Sequence, residues 1–237
     1  MLVVGLVAGG CSTLLGPSGP SPDGVFAGPA LDLARAISAR DDRRVSDLIS
    51  GGADVEATGA QQVTMLQWAV RADYATGITL LLDAGADPDR TGLGADAALH
   101  LAVPDVELVT ALLDGGADPD VRNAVTGSAP LTEVCVQPVP ESFEALVAAG
   151  ADVNLVDKLG ETALLSCART NQGALILRLL ELGADPTIGP DGATFQDFYF
   201  GMNPDILNER ARDERRRIVA WLVANGYDLV PAAEQFR

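Results

Sequence analysis

A tripeptide that recurs at a nearly constant spacing constrains this chain more than any other feature of its sequence. Gly-Ala-Asp begins at Gly52, Gly85, Gly116, Gly150 and Gly183, at steps of 33, 31, 34 and 33 residues. A leucine precedes each of these glycines by 19 residues, or by 17 in the third case. Two landmarks that keep the same phase indicate an array of structural repeats, and the remaining sequence is interpreted against that period.

Each repeat has the pattern of two helices that end at the glycine. In the clearest copy, Thr162 is placed to cap a short helix, and a longer apolar helix runs from Gly173 to Leu182. Gly183 can adopt the left-handed conformation that ends a helix, and Asp185 can accept hydrogen bonds from amides of the next turn. Two helices of this size cannot bury their own apolar face, so neighbouring repeats must stack to form a core.

The opening of this repeat resembles a known family. Residues 157–164, Asp-Lys-Leu-Gly-Glu-Thr-Ala-Leu, match the ankyrin pattern D-x-x-G-x-T-P-L-H-x-A almost fully, and residues 64–69, 98–102 and 129–131 match it in part. The resemblance implies an all-α fold, an ankyrin-repeat solenoid of stacked helix-turn-helix units with β-turn fingers. We expect about five repeats plus an altered C-terminal capping unit, over residues 30–237.

The residues before this array predict a different organisation. An apolar run at residues 2–8, followed by Gly9, Gly10 and Cys11, resembles the end of a bacterial lipoprotein signal. We therefore expect residues 1–11 to be a lipoprotein-like signal segment that is lipidated at Cys11 and anchors the protein to a membrane outside the cytoplasm. Residues 12–29, rich in Gly, Pro and Ser, predict a flexible linker. The alternative is a soluble cytoplasmic protein with a disordered N-terminus.

Composition and motifs exclude several classes of function. A net charge of −17 argues against nucleic-acid binding, which needs a basic face to neutralise phosphates. The repeated aspartates lie one unit apart, too far to share a metal ion, so we interpret them as turn-fixing residues. His100 is the only histidine and is expected to make structural hydrogen bonds. We expect no enzyme activity, no cofactor and a monomeric protein that binds another protein.

Two cysteines lie inside the array, in adjacent repeats. Cys135 and Cys167 are offset by about one residue within their units. Packed helices lie about 8–10 Å apart, whereas a disulfide needs Cα atoms within about 7 Å. On this spacing we expect two buried free thiols, with a disulfide as the alternative.

The third repeat is two residues shorter than its neighbours. Val103-Pro104-Asp105 stands where the other repeats have a longer turn. Because proline is tolerated in the first turn of a helix, Pro104 is predicted to open the second helix of this unit. A local break in the stacking is the expected consequence.

The resemblance also implies a binding surface made of the finger tips and the exposed side of the short helices. The positions that fall on this surface are Ala60, Gln61, Val63, Arg71, Leu93, Asp96, Val125, Thr126, Ser128, Lys158, Leu159, Glu161, Arg169 and Thr170. Trp68 is expected to pack between helices, with a role as an aromatic anchor for a partner as the alternative. Three roles remain open: a lipid-anchored module, a soluble adaptor or inhibitor, and an accessory domain of an enzyme complex.

Overall fold

The computed structural model describes residues 15–16 and 19–237. They begin with an antiparallel pair of two-residue strands, β1 (Leu15–Gly16) and β2 (Gly19–Pro20). Twelve α-helices follow in this part of the chain: α1 (Pro29–Ser38), α2 (Asp42–Ser50), α3 (Met65–Arg71), α4 (Ala75–Asp83), α5 (Ala98–Ala102), α6 (Val106–Asp114), α7 (Pro130–Val136), α8 (Pro140–Ala148), α9 (Ala163–Arg169), α10 (Gly173–Glu181), α11 (Phe195–Tyr199) and α12 (Glu209–Ala224).

The helices form six consecutive pairs that stack in two layers. In one layer α1, α3, α5, α7, α9 and α11 each pack against the next. In the other, α2 packs on α4, α4 on α6, α6 on α8, and α10 on α12. The leucines that keep the repeat phase are all buried: Leu33, Leu66, Leu99, Leu131 and Leu164. The predicted all-α solenoid of five repeats and an altered last unit is therefore confirmed.

The Gly-Ala-Asp triplets end the second helix of each pair as predicted. The five glycines have φ between 88° and 97°, in the left-handed region. The aspartate that follows accepts a hydrogen bond from the backbone N–H two residues later, at 2.8 to 3.0 Å in all five copies. The turn-fixing role of these aspartates is thus confirmed.

A second set of side chains, not predicted from the sequence, links each of these turns to the next. The side-chain oxygen two residues after each of the first four repeated aspartates accepts a hydrogen bond from the backbone N–H of the aspartate in the following repeat. The pairs are Glu56 with Asp87 (2.7 Å), Asp89 with Asp118 (2.9 Å), Asp120 with Asp152 (2.9 Å) and Asn154 with Asp185 (2.7 Å). The sequence signal for these links is a Glu, Asp or Asn two residues after the repeated aspartate in four repeats.

The prediction of a flexible linker over residues 12–29 is wrong for its last part. Val25 and Phe26 are buried, the Val25 carbonyl oxygen accepts a hydrogen bond from Ala60, and the Phe26 ring packs edge-on against Trp68 at 5.3 Å. The first unit has no finger before it, so this apolar segment covers the flank of the second unit.

Trp68 itself is buried and its Nε1 donates to the Ala34 carbonyl oxygen at 3.1 Å, which confirms its packing role. Cys11 lies outside the described residues.

The prediction of free thiols is also wrong, because Cys135 and Cys167 form a disulfide with their Cα atoms 4.6 Å apart. The distance of 8–10 Å separates the axes of packed helices, whereas the disulfide limit applies to Cα atoms. Cα atoms lie about 2.3 Å from their own helix axis, so residues on the facing sides of two packed helices are about 4.6 Å closer than the axes. The buried cysteines of α7 and α9 occupy such facing positions.

One helix start differs from its prediction. Pro104 lies in the turn, and α6 begins at Val106 because the Asp105 side chain caps it by accepting the N–H of Glu107 at 2.9 Å. The last long helix, α12, is capped by Asn208. No helix of the described part of the chain has the length and apolar character needed to cross a membrane.

Candidate functional site

Two fingers, one before α7 and one before α9, carry the most exposed large apolar side chains of this surface. Val125 is 70% exposed and Leu159 is 68% exposed. Polar side chains beneath them hold the turns: Asn123 Oδ1 accepts the N–H of Val125 at 2.8 Å, and Asp157 Oδ1 accepts the N–H of Leu159 at 2.7 Å. Because these turns are hydrogen-bonded from below, Val125 and Leu159 stay at the tips; we call them the finger-tip pair.

The neighbouring fingers are bonded to one another. The Lys158 Nζ donates to the carbonyl oxygens of Ala124 (2.8 Å) and Val125 (3.0 Å), and the Lys158 backbone N–H donates to the carbonyl oxygen of Thr126 (3.0 Å). The Ala124 N–H donates to the Ala95 carbonyl oxygen of the preceding finger at 2.9 Å. The fingers of units three to five therefore form one continuous surface, and the ammonium of Lys158, predicted to contact a partner, instead connects two of them.

An ion pair and an aromatic ring extend this surface toward the C-terminal unit. Glu161 pairs with Arg169, and the Arg169 guanidinium lies 4.7 Å from the ring centre of Phe198. Phe198, on α11, is 39% exposed. Phe198 was not among the contact residues predicted from the sequence. Phe198 is the fourth residue of α11, as Glu133 is of α7. A large aromatic residue at this partly exposed position was the signal that could have identified it.

Two of the predicted contact residues serve the interior instead. Val63 is only 2% exposed, so it is wrong as a contact residue. The Thr170 hydroxyl donates to the Cys135 carbonyl oxygen at 2.7 Å and links the end of α9 to α7. Val63 is therefore part of the core, and Thr170 contributes to the contact between units four and five.

The remaining predicted residues lie on or near the fingers. Gln61 and Thr126 are exposed, whereas Arg71, Leu93, Asp96 and Ser128 are partly exposed. The finger of Leu93 and Asp96 is held by a residue not foreseen, Gln67, whose side-chain amide donates to the carbonyl oxygens of Leu93 (3.2 Å) and Asp96 (2.9 Å). The structure therefore brings most of the predicted surface together on one side of the array.

A titratable cluster lies between units three and four. Glu133 of α7 is half-buried, and burial raises its pKa, with a further rise from the charge of Asp96 and an opposing effect from His100. The Nε2 of His100 is 3.1 Å from the Ser128 carbonyl oxygen, the structural hydrogen bond expected of this histidine. Within the described residues, no group of His, Cys, Asp and Glu has an arrangement that could hold a metal ion. Exposed apolar tips beside partly buried carboxylates are suited to contact with a protein.

Comparison with known proteins agrees with this architecture. Residues 99–189 match the family model of ankyrin repeats in three copies. The chain is 40% identical over 116 residues to Protein PhlB of Serratia liquefaciens, an alignment that covers 48% of this chain and 51% of that protein. The chain thus spans about half the length of this curated relative.

A solved structure shows the same fold along most of the chain. The ankyrin repeat domain of Bcl-3 superposes with a TM-score of 0.71 at 24% sequence identity, covering 83% of this chain and 86% of that domain. Ankyrin repeats indicate a protein–protein interaction module. Residues 99–189 of this chain thus contain ankyrin repeats, within an array of stacked helix pairs that has the fold of an ankyrin repeat domain.

Proposed function

We propose that this protein is a non-enzymatic binding module that holds another protein outside the cytoplasmic membrane, to which a lipid on Cys11 anchors it. The finger-tip pair carries the binding part of the proposal. Val125 and Leu159 expose apolar side chains on turns that hydrogen bonds hold in place. A rigid apolar surface loses little conformational entropy when a partner covers it, which favours specific binding.

The disulfide supports the location outside the cytoplasm. Cys135 and Cys167 are bonded and buried between α7 and α9. Structural disulfides persist in oxidising compartments and are rare where cytosolic thiol systems keep cysteines reduced. This favours the anchored module over the cytoplasmic adaptor that the sequence left open.

Labelling cells with a palmitate analogue tests the anchor. We expect the wild-type chain to carry the label and to be found in the membrane fraction. A Cys11→Ala variant should be unlabelled and absent from that fraction. A Cys135→Ala/Cys167→Ala variant is the control, because it removes the other two cysteines and leaves the proposed lipidation site intact. Unlabelled wild-type protein in the soluble fraction would refute the anchor.

Crosslinked capture of partners from the source organism tests the binding surface. We expect Val125→Asp/Leu159→Asp to lose partners that the wild type retains, because two charges on the finger-tip pair would need to be desolvated on binding. Ile206→Asp is a matched control, since Ile206 is 70% exposed in the C-terminal unit, away from the fingers. An identical set of captured proteins for all three chains would reject the proposed surface.

A further inference from the structure

The surface around the finger-tip pair is strongly acidic. We define the finger face as residues 91–103, 123–136, 157–170 and 189–200, the fingers and short helices of units three to six. It contains six carboxylates and two basic side chains: Asp96, Glu133, Asp157, Glu161, Asp191 and Asp197, with Lys158 and Arg169. The two cations are engaged, Lys158 with carbonyl oxygens of the neighbouring finger and Arg169 with Glu161. The excess negative charge on this face therefore remains available to a partner.

One of these carboxylates has no partner of its own. The side-chain carboxylate of Glu133 makes no hydrogen bond or ion pair with any described residue, although Glu133 is half-buried in α7. By contrast, Asp96 accepts a hydrogen bond from the Asn123 side chain at 2.6 Å, and Asp157 holds its own finger. A partly desolvated carboxylate without a partner favours the approach of a cation.

The neighbouring histidine leaves a second polar atom of this cluster without a partner. His100 is only 5% exposed, and its Nδ1 is buried with no hydrogen-bond partner among the described residues. A carbonyl oxygen can only accept, so Nε2 carries the proton in the contact with Ser128. The charge of Asp96 adds to the negative potential around Glu133.

Apolar side chains flank the cluster. The position of Glu133 within its helix is occupied by Leu101 in the preceding unit and by Phe198 two units further on, and both are at least partly exposed. Val125 lies on the finger that leads into the helix of Glu133. A binding segment that lies along this face thus meets a carboxylate between apolar contacts.

From this arrangement we propose that the finger face recognises a basic segment of its partner protein, in which a lysine or arginine binds Glu133 and apolar neighbours cover Val125 and Leu159. The proposal rests on the proposed binding function and specifies the chemistry of the partner. Complementary charge at such a surface both accelerates encounter and excludes acidic partners.

A random peptide library displayed on phage, selected on the full chain, tests this chemistry. We expect the enriched peptides to carry Lys or Arg beside apolar residues. A synthetic peptide from this set should bind Glu133→Gln at least about tenfold more weakly than wild type, as expected for loss of a charge-assisted hydrogen bond. Its affinity should also fall as ionic strength rises.

Two further measurements separate recognition from a structural effect. Glu141→Gln removes an exposed carboxylate from α8 of the same unit, outside the finger face, and should bind like wild type. His100 is the only histidine, so its imidazole gives one set of NMR signals. Those signals should shift on peptide binding in the wild type, and shift less in Glu133→Gln.

The possible results distinguish this inference from the proposed function. Peptides that bind Glu133→Gln as tightly as wild type but lose affinity for Leu159→Ser would overturn the basic-segment proposal and leave the binding surface intact. Peptides insensitive to Leu159→Ser would count against the surface itself. Acidic or purely apolar consensus sequences, or a selection that yields no binder, would also overturn the proposal.

Discussion

The disulfide between α7 and α9 makes a quantitative prediction about stability. Replacing Cys135 and Cys167 by alanine removes a covalent link between residues that are 32 positions apart. Closing a loop of this length in the unfolded chain lowers its entropy enough to contribute about 4 kcal/mol to the free energy of unfolding. Both cysteines are fully buried, so loss of their sulfur atoms adds a smaller packing term of the same sign.

Urea or guanidinium denaturation followed by circular dichroism measures this effect. We expect the double alanine variant to unfold at a lower denaturant concentration, with a loss of about 3–5 kcal/mol in the free energy of unfolding. Wild-type protein treated with dithiothreitol should shift in the same direction. Dithiothreitol should leave the double alanine variant unchanged, which controls for effects of the reductant on the rest of the fold.

A count of reactive thiols provides the refuting result. Wild-type protein purified without reductant and alkylated in denaturant should show no modification at Cys135 or Cys167 by mass spectrometry. If both residues are alkylated, or if oxidised and reduced proteins unfold at the same denaturant concentration, the link does not stabilise this array. The location proposed outside the cytoplasm would then lose its structural support.

Three further predictions concern the array itself. Asp89→Asn and Asp120→Asn should stabilise the fold at pH 7 by up to about 1 kcal/mol each, because burial raises the pKa of both aspartates and so disfavours their ionised form. An asparagine can replace them, since Asn154 accepts the same backbone hydrogen bond at the equivalent position of unit four. A raised folded-state pKa means that ionisation opposes folding, so in thermal unfolding this gain should shrink as the pH falls to 4. Phe26→Ala should cost about 3 kcal/mol in denaturant unfolding because it uncovers Trp68, and an unchanged midpoint would contradict the packing of this segment. Tyr199→Phe should be neutral or stabilising by thermal melting, since its hydroxyl is buried without a hydrogen-bond partner and burial raises its pKa to about 12; a clear loss of stability would point to a bond from this hydroxyl.

The sequence by itself determined the repeat architecture. A glycine that must adopt positive φ, an aspartate that fixes the next turn and a buried leucine 17 or 19 residues before the glycine are local requirements, repeated in the first five units. Each can be recognised without knowing what lies nearby in space, because helix ends and turns depend on residues a few positions apart. The array of stacked helix pairs follows from such local patterns, and its fingers were implied by the resemblance to ankyrin repeats.

The tertiary structure alone decided which side chains meet across neighbouring units. The bond between Cys135 and Cys167 depends on their lying on the facing sides of two helices, a rotational detail that the distance between helix axes does not contain. The engagement of Lys158, the burial of Val63 and the exposure of Phe198 likewise depend on contacts between residues about one repeat or more apart. The position of the proposed binding face could be predicted from the resemblance of the repeat to ankyrin, whereas the unpaired carboxylate of Glu133 became visible only when the units were stacked.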